Sequence, residues 1–288
     1  MNSYLDCIPC FFKQALFAAR AATKDEGKIR QVLDKVALAM PDIPLDLSPP
    51  EIARIIYSTV SEVTGVTDPL KAYKEKGIYK ALSFYEELKS AVDNSGDPLL
   101  AAVKIAIMGN VMDPGANPDF DLEGAMEDVL RKRLFIDHYE SFKNSIEKAG
   151  NVLYLGDNAG ETVFDKILIE TIGKDTVYAV RHIPIINDAT IEDAEKSGIG
   201  EVARILSSGC DAPGTILKRC SQEFLDFYRS SDVIVSKGQG NFESLSDEKG
   251  SIFFLLMVKC PVIARELKAE TGEMILKDGR YKKDSDAE

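Results

Sequence analysis

The stretch NVLYLGDNAGETVFDKILIE, residues 151–170, decides how the rest of the chain is read. An apolar run stops at Gly156, small and polar residues follow, and from Glu161 onward apolar positions recur at helical spacing. A buried strand, a tight turn and a helix in that order open a βα unit. The turn sets Asp157 beside Asn158 at the carboxyl end of the strand, where open α/β sheets bind their ligands.

Downstream of this stretch the same grammar repeats. Short apolar runs at 176–180, 203–206, 233–236 and 252–257 read as further strands, with 152–155 the first of them. Helical patterns fall near 161–172, 191–197, 215–229 and 242–245, and the Val-Ile pair in CPVIARE, residues 260–266, is expected to add an edge strand. Nearly continuous apolar strands alternating with helices predict a parallel sheet covered on both faces. Upstream, segments such as FFKQALFAARAA and PPEIARIIYSTVSEVTG show apolar residues at spacings of three and four. Ser48-Pro49-Pro50-Glu51 reads as a capped helix start. The expected fold class is therefore α/β: an N-terminal multihelical domain, 1–148, packed on a Rossmann-like doubly wound parallel-sheet domain, 149–288.

Composition narrows the function. Among 288 residues the net charge is −12, and no run of Lys or Arg forms a basic patch, which argues against general nucleic-acid binding. The longest apolar run, SIFFLLMV, is far too short to cross a bilayer, and the N-terminus carries no basic leader before an apolar core. Five cysteines suit a reducing compartment better than a disulfide scaffold. A cytoplasmic protein with no membrane partner is expected; no feature sets an oligomeric state.

The segments after the strands carry the chemistry. GDNAGE (156–161), RHIPIINDAT (181–190), SSGCDAPGT (207–215) and KGQGNFE (237–243) mix Gly or Pro with polar side chains, and the strand order predicts that they converge on one sheet edge. They supply two carboxylates, Asp157 and Asp188, and two amides, Asn158 and Asn187. Such hard oxygen donors suit Mg²⁺ or Mn²⁺, with water completing the coordination. Lys237 adds a point charge suited to a phosphate, and the glycines let backbone N–H groups approach an anion. A divalent ion, a lysine and backbone donors are the equipment of phosphoryl chemistry. Taken singly, Asp157-Asn158 also fits an ordinary turn, and Asn187-Asp188 also fits a cap on the helix near 191.

Other chemistries lack their motifs. KGQGNFE has Glu243 where the third glycine of a dinucleotide fingerprint belongs, and no Walker loop or Gly-x-Ser-x-Gly is present. Asp119-Phe120-Asp121 follows GANP rather than a strand. Of the two histidines, His138 reads as a helix-surface residue and only His182 falls in a strand-end loop.

The ordered set CIPC (7–10), GNVMD (109–113), GDNAGE (156–161), NDAT (187–190), GCDAPGT (209–215) and KGQGNFESL (237–245) resembles the metal-dependent damage-control phosphatases, also known as domain of unknown function 89, and most closely their compact microbial branch. The resemblance implies a helical domain joined to a Rossmann-like domain with the active site in the cleft between them. It implies that Asp157, Asn158 and Asp188 bind a divalent cation, Mn²⁺, Mg²⁺, Co²⁺ or Ni²⁺. It further implies that Lys237 and Asn241 face the substrate phosphate with Glu161 close by, and that Asn110 and Asp113 close the pocket. Cys210 departs from the small hydroxyl residue expected at its position. On this reading the partner is a small phosphorylated metabolite: a sugar phosphate, phosphopantetheine or a damaged phosphometabolite. Asp157 and Lys237 are the candidate catalytic pair, with Asp157 the protein nucleophile if one forms. A non-catalytic metal- or nucleotide-binding module and an S-adenosylmethionine-dependent carboxyl methyltransferase are the alternatives. Cys7 and Cys10 are left as a second metal site, a redox pair, or two packed thiols at a helix start.

Overall fold

The computed structural model describes residues 1–109 and 122–281. Asn110 and Asp113 lie outside the described residues. The first helices are α1 (Cys7–Ala22), α2 (Glu26–Ala39), α3 (Pro49–Thr64), α4 (Lys71–Ser83), α5 (Tyr85–Asp93) and α6 (Pro98–Gly109). Helix α3 starts as its sequence suggests: Ser48 is the N-cap, Pro49 and Pro50 fill the first turn, and Glu51 accepts a 2.9 Å hydrogen bond from the Ser48 backbone N–H. Then come α7 (Leu122–Arg131), β1 (Ile136–Asp137), α8 (Tyr139–Lys148), β2 (Asn151–Leu155), α9 (Thr162–Ile172), β3 (Asp175–Val180) and α10 (Ile191–Lys196). The chain continues through β4 (Arg204–Ser207), α11 (Gln222–Ser230), β5 (Val233–Lys237), α12 (Gly238–Leu245), β6 (Ile252–Met257), α13 (Pro261–Leu267) and β7 (Met274–Asp278).

Among the described residues the strands form one sheet in the order β1-β7-β6-β5-β2-β3-β4, parallel except where β7 runs antiparallel to β6. Strand side chains alternate between its faces. Val152, Tyr154, Val233, Val235, Phe253 and Leu255 pack with α5, α6, α8 and α9. Leu153, Leu155, Ile234, Phe254 and Leu256 pack with α11, α12 and α13. Both faces are dry, which is why the central strands read as unbroken apolar runs. A third cluster holds α1, α2 and α3 together and reaches Val262 on α13, so these three helices sit beside the second face of the sheet. No helix among the described residues is long and apolar enough to cross a membrane.

Three expectations about elements are corrected. CPVIARE is a helix, α13, with Pro261 in its first turn, where a missing N–H leaves no helical bond unmade. The antiparallel strand beside β6 is β7, and β1 adds a strand from residues 136–137, which the sequence pattern reads as helical. The helix expected over 215–229 begins only at Gln222, capped by Ser221 Oγ accepting from Phe224 N at 3.2 Å; the residues before it form a loop used by the site.

Candidate active site

The sheet order reverses at β2. From there the chain moves outward through β3 and β4, then returns to pair β5 on the other side of β2. The crevice outside the ends of β2 and β5 is the topological switch point, where this architecture places ligands. Asp157 follows β2 directly, and Lys237 ends β5.

Backbone pairing brings the β3–α10 loop to the same place. Ala159 N donates to Asn187 O and Ala189 N donates to Asp157 O, each at 2.8 Å, and Asn158 and Asp188 form an antiparallel bridge. Helix α10 takes its cap from Thr190 instead, whose backbone N–H and hydroxyl donate to Asp193 at 3.0 and 2.7 Å. Asp188 is thus not spent on capping.

Arg181 anchors the pair. It is buried at the end of β3, with Nε 2.7 Å from Asp188 Oδ2, Nη1 3.2 Å from Thr215 Oγ1, and Nη2 3.6 Å from Asp157 Oδ1. Thr215 passes the connection on, donating to Asn241 Oδ1 at 2.8 Å, and Asn241 Nδ2 donates to Gly156 O (3.1 Å) and Lys237 O (2.8 Å). The Asn241 amide therefore ties the β2 and β5 turns together. Cys210 is buried in the loop leading to Thr215, its thiol donating to Gly214 O at 3.3 Å.

Lys237 is fully buried. Its ammonium donates to Asp165 Oδ1 at 2.7 Å and to Glu161 Oε2 at 3.0 Å, and Asp165 also accepts from the hydroxyls of Tyr154 and Tyr178 at 2.8 Å each. The Asn158 amide donates to Glu161 and, at 3.2 Å, to Asp157. Glu161 and Asp165, four apart on one helical face, stand behind the Asp157–Asn158 turn.

The charges do not balance. Four buried carboxylates, Asp157, Glu161, Asp165 and Asp188, are set against two buried cations, Arg181 and Lys237. Burial, then the Glu161 and Asp188 carboxylates, push the Asp157 carboxyl up to about 8, and burial also raises Asp188 against the pull of Arg181. Burial acts to raise Glu161 too, but the ammonium groups of Lys237 and Lys259 hold it below its ordinary value. The Lys237 ammonium is disfavoured by burial, yet Asp165 and Glu161 raise its pKa overall. The donor set fits a divalent cation of the hard, oxygen-preferring kind: two carboxyl groups and an amide, with the crowding of acidic groups that raises Asp157 relieved by a bound positive charge. Among the described residues no three His, Cys, Asp or Glu side chains are grouped to hold a metal ion, so the fit rests on Asp157, Asp188 and the Asn158 amide.

A cleft of about 550 Å³ opens onto this set. Asp157, Asn158, Asn187 and Asp188 line its floor, and Cys7, Cys10, Cys260 and Lys259 stand around it. Lys237, Glu161 and Asn241 are not among its lining residues. Cys7 and Cys10 occupy the start of α1, Cys7 buried and Cys10 exposed, both as free thiols. Sequence reasoning missed Arg181, Asp165, Thr215 and Lys259. A signal exists for two of them: Arg181 directly follows a buried strand, and Asp165 lies one helical turn after Glu161. It also missed Tyr57 on α3, whose phenol is pushed up by burial and by the Asp188 carboxylate.

Comparison with known proteins shows the family and the fold. Residues 3–275 match the model of the damage-control phosphatase ARMT1-like domain. The chain is 35% identical to damage-control phosphatase PH1575 of Pyrococcus horikoshii, over 98% of its own length and 100% of the relative's. It is 33% identical to a damage-control phosphatase of Archaeoglobus fulgidus, covering 94% and 97% of the two chains. The crystal structure of a DUF89 family protein from Pyrococcus horikoshii superimposes with a TM-score of 0.90 at 33% identity, over 97% of this chain and 99% of that one.

Proposed function

The chain belongs to the damage-control phosphatase ARMT1-like family, and on that premise we propose that it is a divalent-metal phosphatase acting on small phosphate monoesters. The substrate class on this proposal is a sugar phosphate, phosphopantetheine or a damaged phosphometabolite, handled in the cytoplasm. The observation that carries the reading is the gathering of the Asp157 and Asp188 carboxyl groups and the Asn158 amide on the floor of a cleft at the switch point of the sheet.

Asp157, Asp188 and the Asn158 carbonyl would hold Mn²⁺, Mg²⁺, Co²⁺ or Ni²⁺. Bound there, the cation supplies positive charge to a phosphoryl oxygen and offsets charge building in the transition state. Every other role belongs to the chain. Arg181 keeps Asp188 and Asp157 in register through its guanidinium. Glu161 accepts the Asn158 amide N–H, which orients that side chain and keeps its carbonyl oxygen as the remaining acceptor. Lys237, itself anchored by Asp165, pairs with Glu161 from behind. Asp157 is the assigned catalytic carboxylate. Lys259, exposed at the cleft, with an ammonium that acts on the Asp157 and Glu161 carboxyl groups, is the cation we assign to an incoming phosphate. The burial of Lys237 favours giving that contact to Lys259 and giving Lys237 a supporting part.

The test is a phosphate-release screen over phosphorylated metabolites and a generic aryl phosphate, each with the four cations. Turnover with at least one cation is expected. Tight binding of a phosphorylated ligand with no turnover under any cation would make the chain a binding module instead.

A further inference from the structure

A second cavity, of about 310 Å³, lies beside the cleft between α3 and the loop that precedes Asp188. Its walls are Tyr57, Val60, Leu70, Ile183, Ile185 and Ile186. Polar groups at its edge are already matched: Arg54 Nε is 2.7 Å from Asp211 Oδ2, and Arg219 also pairs with Asp211. The cavity thus presents apolar surface with no uncompensated charge among these groups, which suits a neutral, apolar ligand group.

Ile186 is the shared wall, lining both this cavity and the cleft floored by Asp157 and Asp188. It has φ 47°, one of two non-glycine residues with positive φ among the described residues. A β-branched side chain is disfavoured in that region, and such conformations cluster at ligand sites, where surrounding structure holds them. Here the holding structure is the backbone pairing of 187–189 with 157–159. Its loop neighbour Ile183 is 42% exposed although it is a large aliphatic residue. Tyr57 fills the opposite side, its hydroxyl donating to Gln14 Oε1 at 3.3 Å. A helix of the N-terminal half and the loop leading to Asp188 thus build one apolar pocket, which shares Ile186 with the cleft assigned to the phosphate.

Resting on the phosphatase reading above, we infer that this pocket takes the apolar part of the alcohol esterified to the phosphate, with Ile186 and Tyr57 as specificity-determining residues. The substrate class narrows to monoesters in which a hydrocarbon or aromatic portion lies next to the phosphate ester.

The experiment compares 1-naphthyl phosphate with glycerol phosphate, with Mn²⁺, in the wild-type chain and in Ser61→Trp and Ser58→Trp, which fill the pocket from its rim without removing a buried side chain. The ratio of kcat/KM for the naphthyl ester to that for the glycerol ester is expected to favour the naphthyl ester in the wild type. It is expected to fall about 10–100-fold in either variant that melts like the wild type. An unchanged ratio in both variants overturns the inference. If no phosphate is released from either ester by the wild type, the phosphatase reading fails separately, and calorimetric binding of the same two esters decides the pocket. Preferential naphthyl binding that the Trp variants abolish supports it, and equal binding overturns it.

Discussion

Gly238, in a left-handed conformation at the end of β5, is packed so closely on Asp157 that a Cβ built on it would overlap the Asp157 carboxylate. The two turns that meet at the switch point can approach only because one of them has no side chain there. Gly238→Ala should turn the Asp157 carboxylate away. Displacement of about 1 Å at such a site lowers kcat by about 10²-fold. Mn²⁺ affinity should weaken alongside activity, and circular dichroism should show the fold retained. Normal Mn²⁺ affinity in Gly238→Ala would show that this contact does not set the position of Asp157.

Lys237 and Lys259 are expected to separate stability from substrate binding. Lys237→Met leaves Glu161 and Asp165 buried without their shared cation, and loss of one partner from such a cluster destabilises by about 3–5 kcal/mol. Lys259→Met removes an exposed side chain and should leave the melting temperature within a degree or two, while raising KM for phosphate esters. Chemical denaturation and steady-state kinetics on both variants check the split. A Lys237→Met chain as stable as the wild type, with raised KM alone, would return the phosphate contact to Lys237.

Glu243 gives the stability a pH dependence. Burial pushes its carboxyl up to about 7, against the pull of the Gln239 hydrogen bond and the Met1 ammonium. The folded chain therefore holds a proton that the unfolded chain has already released. Its contribution is present at low pH and is lost as pH rises from the ordinary carboxylate range through about 7. Relative to Glu243→Gln, the wild type should lose about 1–2 kcal/mol of unfolding free energy between pH 5 and pH 8, the group's partial exposure limiting the amount. Parallel denaturation curves for the two proteins across that interval would contradict the assignment.

The central strands were legible because β5 and β6 are buried on both faces and carry unbroken apolar runs. That Asp157, Asn158 and Asp188 meet in one cleft was legible because each lies just beyond or near a strand end. What stayed hidden depends on partners far away in sequence. Asp165 reads as a polar position on α9 until Tyr154, Tyr178 and Lys237 surround it. Lys237 looks like a free cation at a strand end until Glu161 and Asp165 close on it. The two-residue β1 carries too little pattern to show, and is defined only by its pairing with β7. CPVIARE misleads because Val262 and Ile263 satisfy a strand pattern as readily as one turn of a helix begun by Pro261.

The most direct measurement is phosphate release from an aryl phosphate by chelator-stripped protein as Mn²⁺ is added, for the wild type and for Asp157→Ala and Asp188→Ala. The wild type should be inactive without the cation and activated along a saturable curve. Both variants should stay folded, with activity lower by about 10²-fold or more at Mn²⁺ concentrations that saturate the wild type. Equal turnover in the stripped wild type, or an Asp157→Ala chain activated along the same curve, would contradict a divalent cation held by Asp157 and Asp188 at the heart of the site.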